Sequence, residues 1–264
     1  MDNSYFPCLS FEGAEADISM VQSLRKWAES EVVDKRLELK EDYERLLKPA
    51  MQKLFVDMEM QKLLWSEEDG GAGHNRADVI FTHVRALEEI GRADTGIGFI
   101  TAATFALCTT FALESTMNKQ LCAKFAPLFC GGGEVITGAL VLPLYGAESS
   151  SAALDYRGKY LQAAAKKEDG GWVIEGERVR PFNAGADAAL VGALCYLEGE
   201  KEPGFIVFGA DDAGVERNGA PLKTTGLAAS RNAPLKFDRV RVPAENLVFR
   251  GDKGYRRMLS WLYT

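Results

Sequence analysis

The fold is decided by the stretch ITGALVLPLYGAE, residues Ile136–Glu148, where the pattern of the chain changes. Before it, the spacing of apolar residues predicts helix after helix, and beyond it short apolar runs alternate with Gly-rich turns. A strand pattern that begins at Val135 ends at Pro143, which has no N–H for a strand ladder. Gly146 then permits a backbone turn. A strand that opens into a Gly-containing loop can present backbone amides to a ligand, and a plain turn is the alternative.

The composition is typical of a globular protein, with 264 residues of which 47% are apolar and 26% charged. The formal net charge of −7 argues against a nucleic-acid partner, because phosphate binding needs clustered Lys and Arg. No basic segment precedes an apolar one at the start of the sequence, so a secretory signal is not expected. The longest apolar run, Ile97–Leu113, contains four threonines and is shorter than a bilayer span. It predicts a buried core helix and no membrane span.

The number and spacing of the cysteines and histidines indicate the redox compartment and whether a metal site is expected. The five cysteines are scattered without a Cys-x-x-Cys pair, which is typical of reduced thiols and predicts a cytoplasmic protein. Only two histidines occur, His74 and His83, so we expect no metal site.

Helical spacing covers the first half of the chain. One helix is predicted from Ile18, and a second lies near Leu46 and ends near Trp65. The Gly-rich loop Ser66–Gly73 lacks the Lys and Ser/Thr of a phosphate-binding P-loop, which favours a connection between helices. A third helix is predicted from Ala77 to Arg92, with four residues on its buried face: Ile80, Val84, Leu87 and Ile90.

Two further predictions belong to this helical half. His83 lies beside the apolar stripe of the third helix, which favours a packed histidine over a metal ligand. Another helix is expected from Asn118 to Phe129, with a cap from Ser115 or Thr116. The triplet Gly131–Gly133 then ends the helical pattern.

From Glu134 onward the hydrophobic period shortens to two residues, which is typical of strands. The predicted strands are Val135–Leu142, Lys159–Ala165, Gly171–Val179, Ala188–Leu197, Gly204–Phe208 and Pro234–Val242. Short strands between Gly-rich turns predict an antiparallel β-barrel or sandwich. The fold class is therefore α+β, with a helical domain at residues 1–133, a middle β domain at 134–250 and the start of a further helix at 251–264.

Four segments, in the same order along the chain, carry a resemblance to a known family. Trp65–Gly73 looks like the loop Pro-Glu-Glu-Tyr-Gly-Gly-x-Gly, and Leu87–Asp94 looks like the helix end Glu-Glu-Leu-(Ala/Gly)-Arg-x-Asp. Phe237–Leu247 closely matches Phe-Asp-x-Val-x-Val-Pro-x-x-Asn-Leu. Gly251–Tyr255 resembles the Gly-x-Gly-(Phe/Tyr) that opens a C-terminal helical domain. Together they resemble the acyl-CoA dehydrogenase family.

The resemblance implies a cofactor and a reaction. The family binds FAD between its middle β domain and its C-terminal helical domain. A glutamate of the C-terminal domain removes the α-proton of an acyl-CoA thioester, and the β-hydrogen leaves as hydride to the flavin, giving the trans-2-enoyl-CoA. The resemblance ends where the C-terminal domain opens, so base and part of the cofactor contacts are expected from elsewhere, and no catalytic residue is assigned in this chain.

The resemblance also implies cofactor-binding positions. Ile136–Glu148 aligns with Ala-Leu-Thr-Glu-Pro-x-x-Gly-Ser-Asp, and Gly176–Asn183 aligns with Gly-x-Lys-x-Trp-Ile-Thr-Asn. The FAD-binding candidates are Leu140, Val141, Leu142, Gly146, Ala147, Arg180 and Phe182. Hydroxyl groups are missing from this set, because Val141 and Phe182 replace Thr and Ala147 replaces Ser, while Leu142 replaces Glu and Arg180 replaces Trp. Each lost donor to a buried or charged acceptor costs roughly 1–3 kcal/mol.

These features leave three interpretations open. The chain is a short subunit that oligomerises with an acyl-CoA dehydrogenase-type partner, which supplies base and flavin contacts. Alternatively, it is a non-catalytic scaffold or regulatory pseudoenzyme of the same family, or a piece of a longer dehydrogenase or of a flavin monooxygenase with the same architecture. The apolar spacing of Tyr255, Met258, Leu259 and Leu262 predicts an amphipathic helix that needs another surface.

Overall fold

The computed structural model describes residues 15–76, 80–143, 154–156, 159–254 and 256. Its first half is helical, as predicted. The helices are α1 Glu15–Trp27, α2 Asp34–Leu39, α3 Lys48–Gln52, α4 Ile80–Ala93, α5 Thr95–Ala112 and α6 Lys119–Gly131. A π-helical turn, Ala28–Val33, joins α1 to α2 in one continuous segment. Two more, Tyr43–Leu47 and Lys53–Asp57, flank α3.

Residues with positive φ end the first two helical segments. Lys40 and Glu59 each have a φ of 57°, a conformation that interrupts a right-handed helix. The second segment therefore ends at Asp57, and the predicted end near Trp65 is wrong. The loop after Trp65 is a set of tight turns, in which the amide of Gly71 donates to the carbonyl of Ser66 (2.9 Å).

Helix α4 is rotated relative to its predicted orientation. Val84 is 50% exposed, so its predicted burial is wrong, and Leu87 is only partly buried. The buried face instead carries Thr82, His83, Ala86, Glu89 and Ile90. Glu89 can occupy it because its carboxylate accepts from Arg25 Nε (2.9 Å) and Arg92 Nε (3.2 Å). Burial alone would raise the pKa of Glu89, but the two guanidinium groups lower it below its usual value.

Helix α5 is the core helix that the apolar run predicts. Its N-terminus is capped by the carboxylate of Asp94, which accepts from the amide of Ile97 (2.9 Å). Among the described residues, α5 alone is long and apolar enough to cross a membrane, but 72% of it is buried inside the protein. Helix α6 is also present, but its cap is Asn118 rather than Ser115 or Thr116.

Beyond α6 the described chain forms strands. They are β1 Gly138–Val141, β2 Leu154–Tyr156, β3 Lys159–Leu161, β4 Ala163–Glu168, β5 Gly171–Val179, β6 Leu190–Leu197, β7 Glu202–Gly209, β8 Val215–Arg217, β9 Leu235–Pro243 and β10 Leu247–Arg250. Strand β5 has its predicted bounds. The predicted strand Lys159–Ala165 is divided at Gln162 into β3 and β4, and β2, β8 and β10 are additional.

Eight of these strands form one mixed sheet, in the order β10-β7-β6-β4-β5-β9-β8 with β1 beside β6. Most pairs are antiparallel, but β1 and β4 both run parallel to β6. They lie end to end along one edge of β6, since β1 pairs with Leu190–Ala193 and β4 with Cys195–Leu197. The predicted α+β class, with helices followed by a mostly antiparallel β domain, is confirmed. Of the predicted barrel or sandwich, a closed barrel is not formed, because the described strands leave the sheet open between β10 and β8.

Helix α5 packs on the sheet where two glycines leave room for Leu107. A Cβ on Gly138 of β1 would lie 2.7 Å from the side chain of Leu107, and one on Gly192 of β6 would lie 2.3 Å from it. A side chain at either position would force the side chain of Leu107 to move within the packed core. One hydrophobic core consequently runs from the helices into the sheet.

Candidate functional site

The outer edge of β1 is held by polar side chains instead of a second strand. The amide of Gly138 donates to Thr104 Oγ1 of α5 (3.0 Å). Asn183, which is fully buried, donates from Nδ2 to the carbonyl of Gly138 (2.6 Å) and accepts at Oδ1 from the amide of Leu140 (3.1 Å). The carbonyl of Leu140 accepts from the amide of Phe182 (2.6 Å). Two side chains and one backbone amide thus satisfy backbone groups that a neighbouring strand would otherwise bind.

Gln162 continues this edge past the end of β1. It lies between β3 and β4 with only 4% of its surface exposed. Its Nε2 donates to the carbonyls of Leu142 (2.6 Å) and Arg180 (3.0 Å), and its Oε1 accepts from the amide of Arg180 (2.7 Å). One side chain therefore joins the segment after β1 to the segment after β5.

The predicted cofactor residues on β1 face mostly inward. Leu140 is 2% exposed, Val141 is fully buried, and Leu142 is partly buried. The amide of Leu140 is engaged by Asn183, so it is not free for a ligand. Gly146 and Ala147 lie outside the described residues, as does the predicted apolar stripe that begins at Tyr255.

The two predicted residues after β5 do face outward. Arg180 is exposed, and the ring of Phe182 is 53% exposed. The Phe182 ring contacts Phe99 of α5, with ring centroids 4.9 Å apart and a tilt of 57°. Asn232 supports the same segment, since its Nδ2 donates to the carbonyl of Pro181 (2.9 Å). We refer to Arg180, Phe182 and Phe99 as the aromatic–cation surface.

Three supporting residues were not identified from the sequence. Asn183 lies inside the quoted Gly176–Asn183 motif, so its position offered a signal. Gln162 is a polar residue in the middle of an apolar strand pattern, which could also have indicated a special role. Asn232 comes from a distant loop, and no local pattern connects it to Phe182.

Burial keeps two cysteine thiols and one histidine ring in their uncharged forms. Burial raises the pKa of the Cys122 thiol to about 11 and that of Cys195 to about 12, so both stay protonated. His83 is a packed histidine, as predicted, and burial followed by the nearby His74 lowers its pKa to about 4. Within the described part of the chain, no group of three or more His, Cys, Asp or Glu side chains could hold a metal ion.

The fold and this geometry can be placed among known proteins. Residues 14–133 match the family described as "Acyl-CoA dehydrogenase, N-terminal domain". The chain is similar to the acyl-CoA dehydrogenases. A curated relative, the short-chain specific acyl-CoA dehydrogenase of Megasphaera elsdenii, is 26% identical over 208 residues, which cover 73% of this chain and 48% of the relative. The acyl-CoA dehydrogenase-like chain thus spans about half the length of that relative.

Solved structures show the same fold. Butyryl-CoA dehydrogenase from Megasphaera elsdenii superposes with a TM-score of 0.71 and 19% identity, over 96% of this chain and 64% of that one. An acyl-CoA dehydrogenase complexed with FAD from Bacillus anthracis has a TM-score of 0.68 and 19% identity, over 95% and 40% of the two chains. The acyl-CoA dehydrogenase-like chain therefore shares the helix-then-sheet architecture with these enzymes.

The aromatic–cation surface suits only part of a flavin. An exposed ring can stack on a planar group, and a guanidinium can pair with a phosphate. At the two described positions where the resemblance implies a hydroxyl donor for the ring, Val141 is buried without a hydroxyl and Phe182 has none. Nearby, the Oδ1 of Asn232 is buried without a hydrogen-bond partner, and an amide oxygen is an acceptor, so it does not replace a missing donor. The described residues of the acyl-CoA dehydrogenase-like chain therefore do not complete a flavin site.

Proposed function

We propose that this chain forms one wall of an acyl-CoA dehydrogenase-type site and requires a second polypeptide surface, from a partner subunit or from further residues of the protein. That surface would supply the catalytic base and the remaining cofactor contacts. The reaction would be oxidation of an acyl-CoA thioester to the 2-enoyl-CoA. FAD, when bound in such a site, supplies a hydride acceptor. The observation that carries the proposal is the outward-facing pair Arg180 and Phe182 in a chain similar to these dehydrogenases.

The chain's own residues set what it can contribute. Phe182 offers a ring face, and Arg180 offers a cation for a phosphate or an anionic ring. Two missing hydroxyl donors, at Val141 and Phe182, would each cost roughly 1–3 kcal/mol of binding free energy. Together they weaken cofactor binding by orders of magnitude. We therefore expect weak FAD binding by this chain alone.

We also propose a cellular compartment and an assembly for this protein. All four cysteines among the described residues are free thiols, which supports a reducing, cytoplasmic compartment. An oligomer with an acyl-CoA dehydrogenase-type subunit is the assembly that would complete the site.

Reconstitution tests the proposal. The chain is purified alone and together with a full-length acyl-CoA dehydrogenase subunit from the same source, and each sample is incubated with FAD. The visible absorbance of protein-bound flavin is recorded before and after butyryl-CoA is added. Butyryl-CoA is the probe because a structural neighbour is a butyryl-CoA dehydrogenase. We expect bound flavin that loses its colour with butyryl-CoA only in the mixture. Tight FAD binding and turnover by the lone chain would contradict the proposal.

A second candidate function is a non-catalytic scaffold of the same family. It is favoured by one observation: the outer edge of β1 is occupied by Asn183 and Gln162, while the Thr positions of the family carry Val141 and Phe182. In the reconstitution, a stable complex that stays colourless with FAD and every acyl-CoA would select this candidate.

A further inference from the structure

Gln162 uses its whole donor capacity on main-chain groups that flank the aromatic–cation surface. Its two N–H groups go to the carbonyls of Leu142 and Arg180, at 2.6 Å and 3.0 Å. Its carbonyl oxygen receives the amide of Arg180 at 2.7 Å. Because the side chain is 4% exposed, these bonds form away from water, where a broken bond leaves a costly unpaired group.

The two bonds from Gln162 to Arg180 fix the backbone of that residue. Both backbone groups of this residue, its N–H and its C=O, are held by one side-chain amide, as a neighbouring strand would hold them. Pro181 follows with its φ restricted by the ring, and the amide of Phe182 is tied to Leu140 (2.6 Å). The backbone directions at Arg180 and Phe182 are therefore set together.

The bonds of Gln162 also fix how far the segment after β1 lies from the segment after β5. Leu142 follows β1, which packs on α5, while Arg180 follows β5. Gln162 joins the two, so it holds the Phe182 ring at the position where it contacts Phe99 of α5 (4.9 Å). Without Gln162, the segment after β5 would lose these bonds to the backbone of Arg180, while Phe182, Asn183 and Asn232 would keep theirs.

We infer that Gln162 is a positioning residue for the aromatic–cation surface, acting through the backbone of Arg180 and Leu142 without touching a ligand. As far as a ligand is concerned, the inference rests on the proposed function. The effect of Gln162 on the conformation of the aromatic–cation surface does not depend on that function, and it can be measured on the free chain.

The chain contains a matched control. Gln61 is 3% exposed and also makes three bonds to main-chain groups: from Nε2 to Phe129 (3.1 Å) and Glu134 (3.2 Å), and to Oε1 from the amide of Ile136 (3.0 Å). It lies at the other end of the segment that leads into β1. Gln162→Met and Gln61→Met therefore remove the same chemistry at similar volume, but only the first removes bonds to the surface.

The ligand-free test combines amide hydrogen exchange with NMR of Phe-labelled protein. In Gln162→Met, we expect the exchange rate at Arg180 to rise about tenfold, the effect of one lost hydrogen bond, and the Phe99–Phe182 contact signal to fall. In Gln61→Met both should match the wild type. Equal behaviour of the two variants overturns the inference. If Gln162→Met does not fold, Gln162→Glu keeps the acceptor for the Arg180 amide and loses both donors, and the contact signal should still fall.

FAD titration of the reconstituted complex adds the ligand. We expect the Kd to rise about tenfold in Gln162→Met and to change less than about twofold in Gln61→Met. An equal Kd in both variants overturns the positioning role. If the wild-type complex binds no FAD, the proposed function fails, while the exchange and contact measurements still decide whether Gln162 positions the surface.

Discussion

At the scale of single residues, His83 couples stability to pH. Its side chain is 7% exposed, its ring lies 5.8 Å from that of Phe105, and burial followed by His74 lowers its pKa to about 4. In the unfolded chain a histidine titrates near pH 6.5. Between these values the unfolded state binds more protons, so stability is fully present above about pH 6.5 and is lost as the pH falls towards 4. The full loss is roughly 3 kcal/mol.

The variant His83→Gln tests this coupling, because glutamine stays neutral throughout. Urea denaturation at several pH values from 7.5 to 4 should show the free energy of unfolding falling more steeply for the wild type than for the variant. Titrating groups that do not interact with His83 contribute equally to both proteins and cancel in the difference, whereas its interactions with His74 and Asp17 are part of the measured effect. Parallel slopes would show that His83 does not carry the effect.

A second prediction for single residues concerns the effect of Arg180 and Phe182 on FAD affinity. Both are exposed, so Arg180→Trp with Phe182→Thr can restore the aromatic group and one hydroxyl donor of the family with little effect on the core. We expect FAD affinity to rise by about tenfold, corresponding to one regained hydrogen bond. A fluorescence titration with FAD measures it, with Arg180→Trp alone as the control for the hydroxyl. No gain from the double variant would mean that the rest of the pocket does not receive a flavin.

At the scale of elements, the contact of α5 with the sheet depends on Gly192. A Cβ there would lie 2.3 Å from Leu107 and 2.5 Å from Phe205, which overpacks the interface. We expect Gly192→Ala to lower the free energy of unfolding by about 1–3 kcal/mol. Gly199→Ala is the control, because nothing lies within 4 Å of its added Cβ, and it should change stability by less than about 0.5 kcal/mol. Urea denaturation that ranks the two variants in the opposite order would contradict this packing.

At the scale of the whole molecule, helices and sheet should unfold together. One hydrophobic core contains residues of both, and Asn118 at the start of α6 donates to the carbonyl of Glu245 beyond β9 (3.1 Å). Hydrogen exchange in increasing urea, followed by mass spectrometry, should therefore give the same opening free energy for peptides of α5 and of β6. Two distinct values would instead support independent domains at residues 1–133 and 134–250, a division that stays a prediction.

Local pattern was enough for much of the fold. The order of helices followed by strands, the core position of α5 and the bounds of β5 all follow from hydrophobic period, because period reports which face of an element is buried. The motifs made Arg180 and Phe182 cofactor-binding candidates; both are exposed, and their binding role stays a prediction. The packed state of His83 was predictable for the same reason, since it lies next to an apolar stripe.

The sequence alone determined the type and order of the elements and the resemblance to the acyl-CoA dehydrogenases, because hydrophobic period and motifs are properties of neighbouring residues. Only the tertiary structure decided the rotation of α4, in which Arg25 and Arg92 make burial of Glu89 possible, and the parallel placement of β1 and β4 along β6. The same holds for the candidate site, where Gln162, Asn183 and Asn232 meet from separate segments. Such contacts depend on pairings between residues distant in sequence, and no local pattern encodes them.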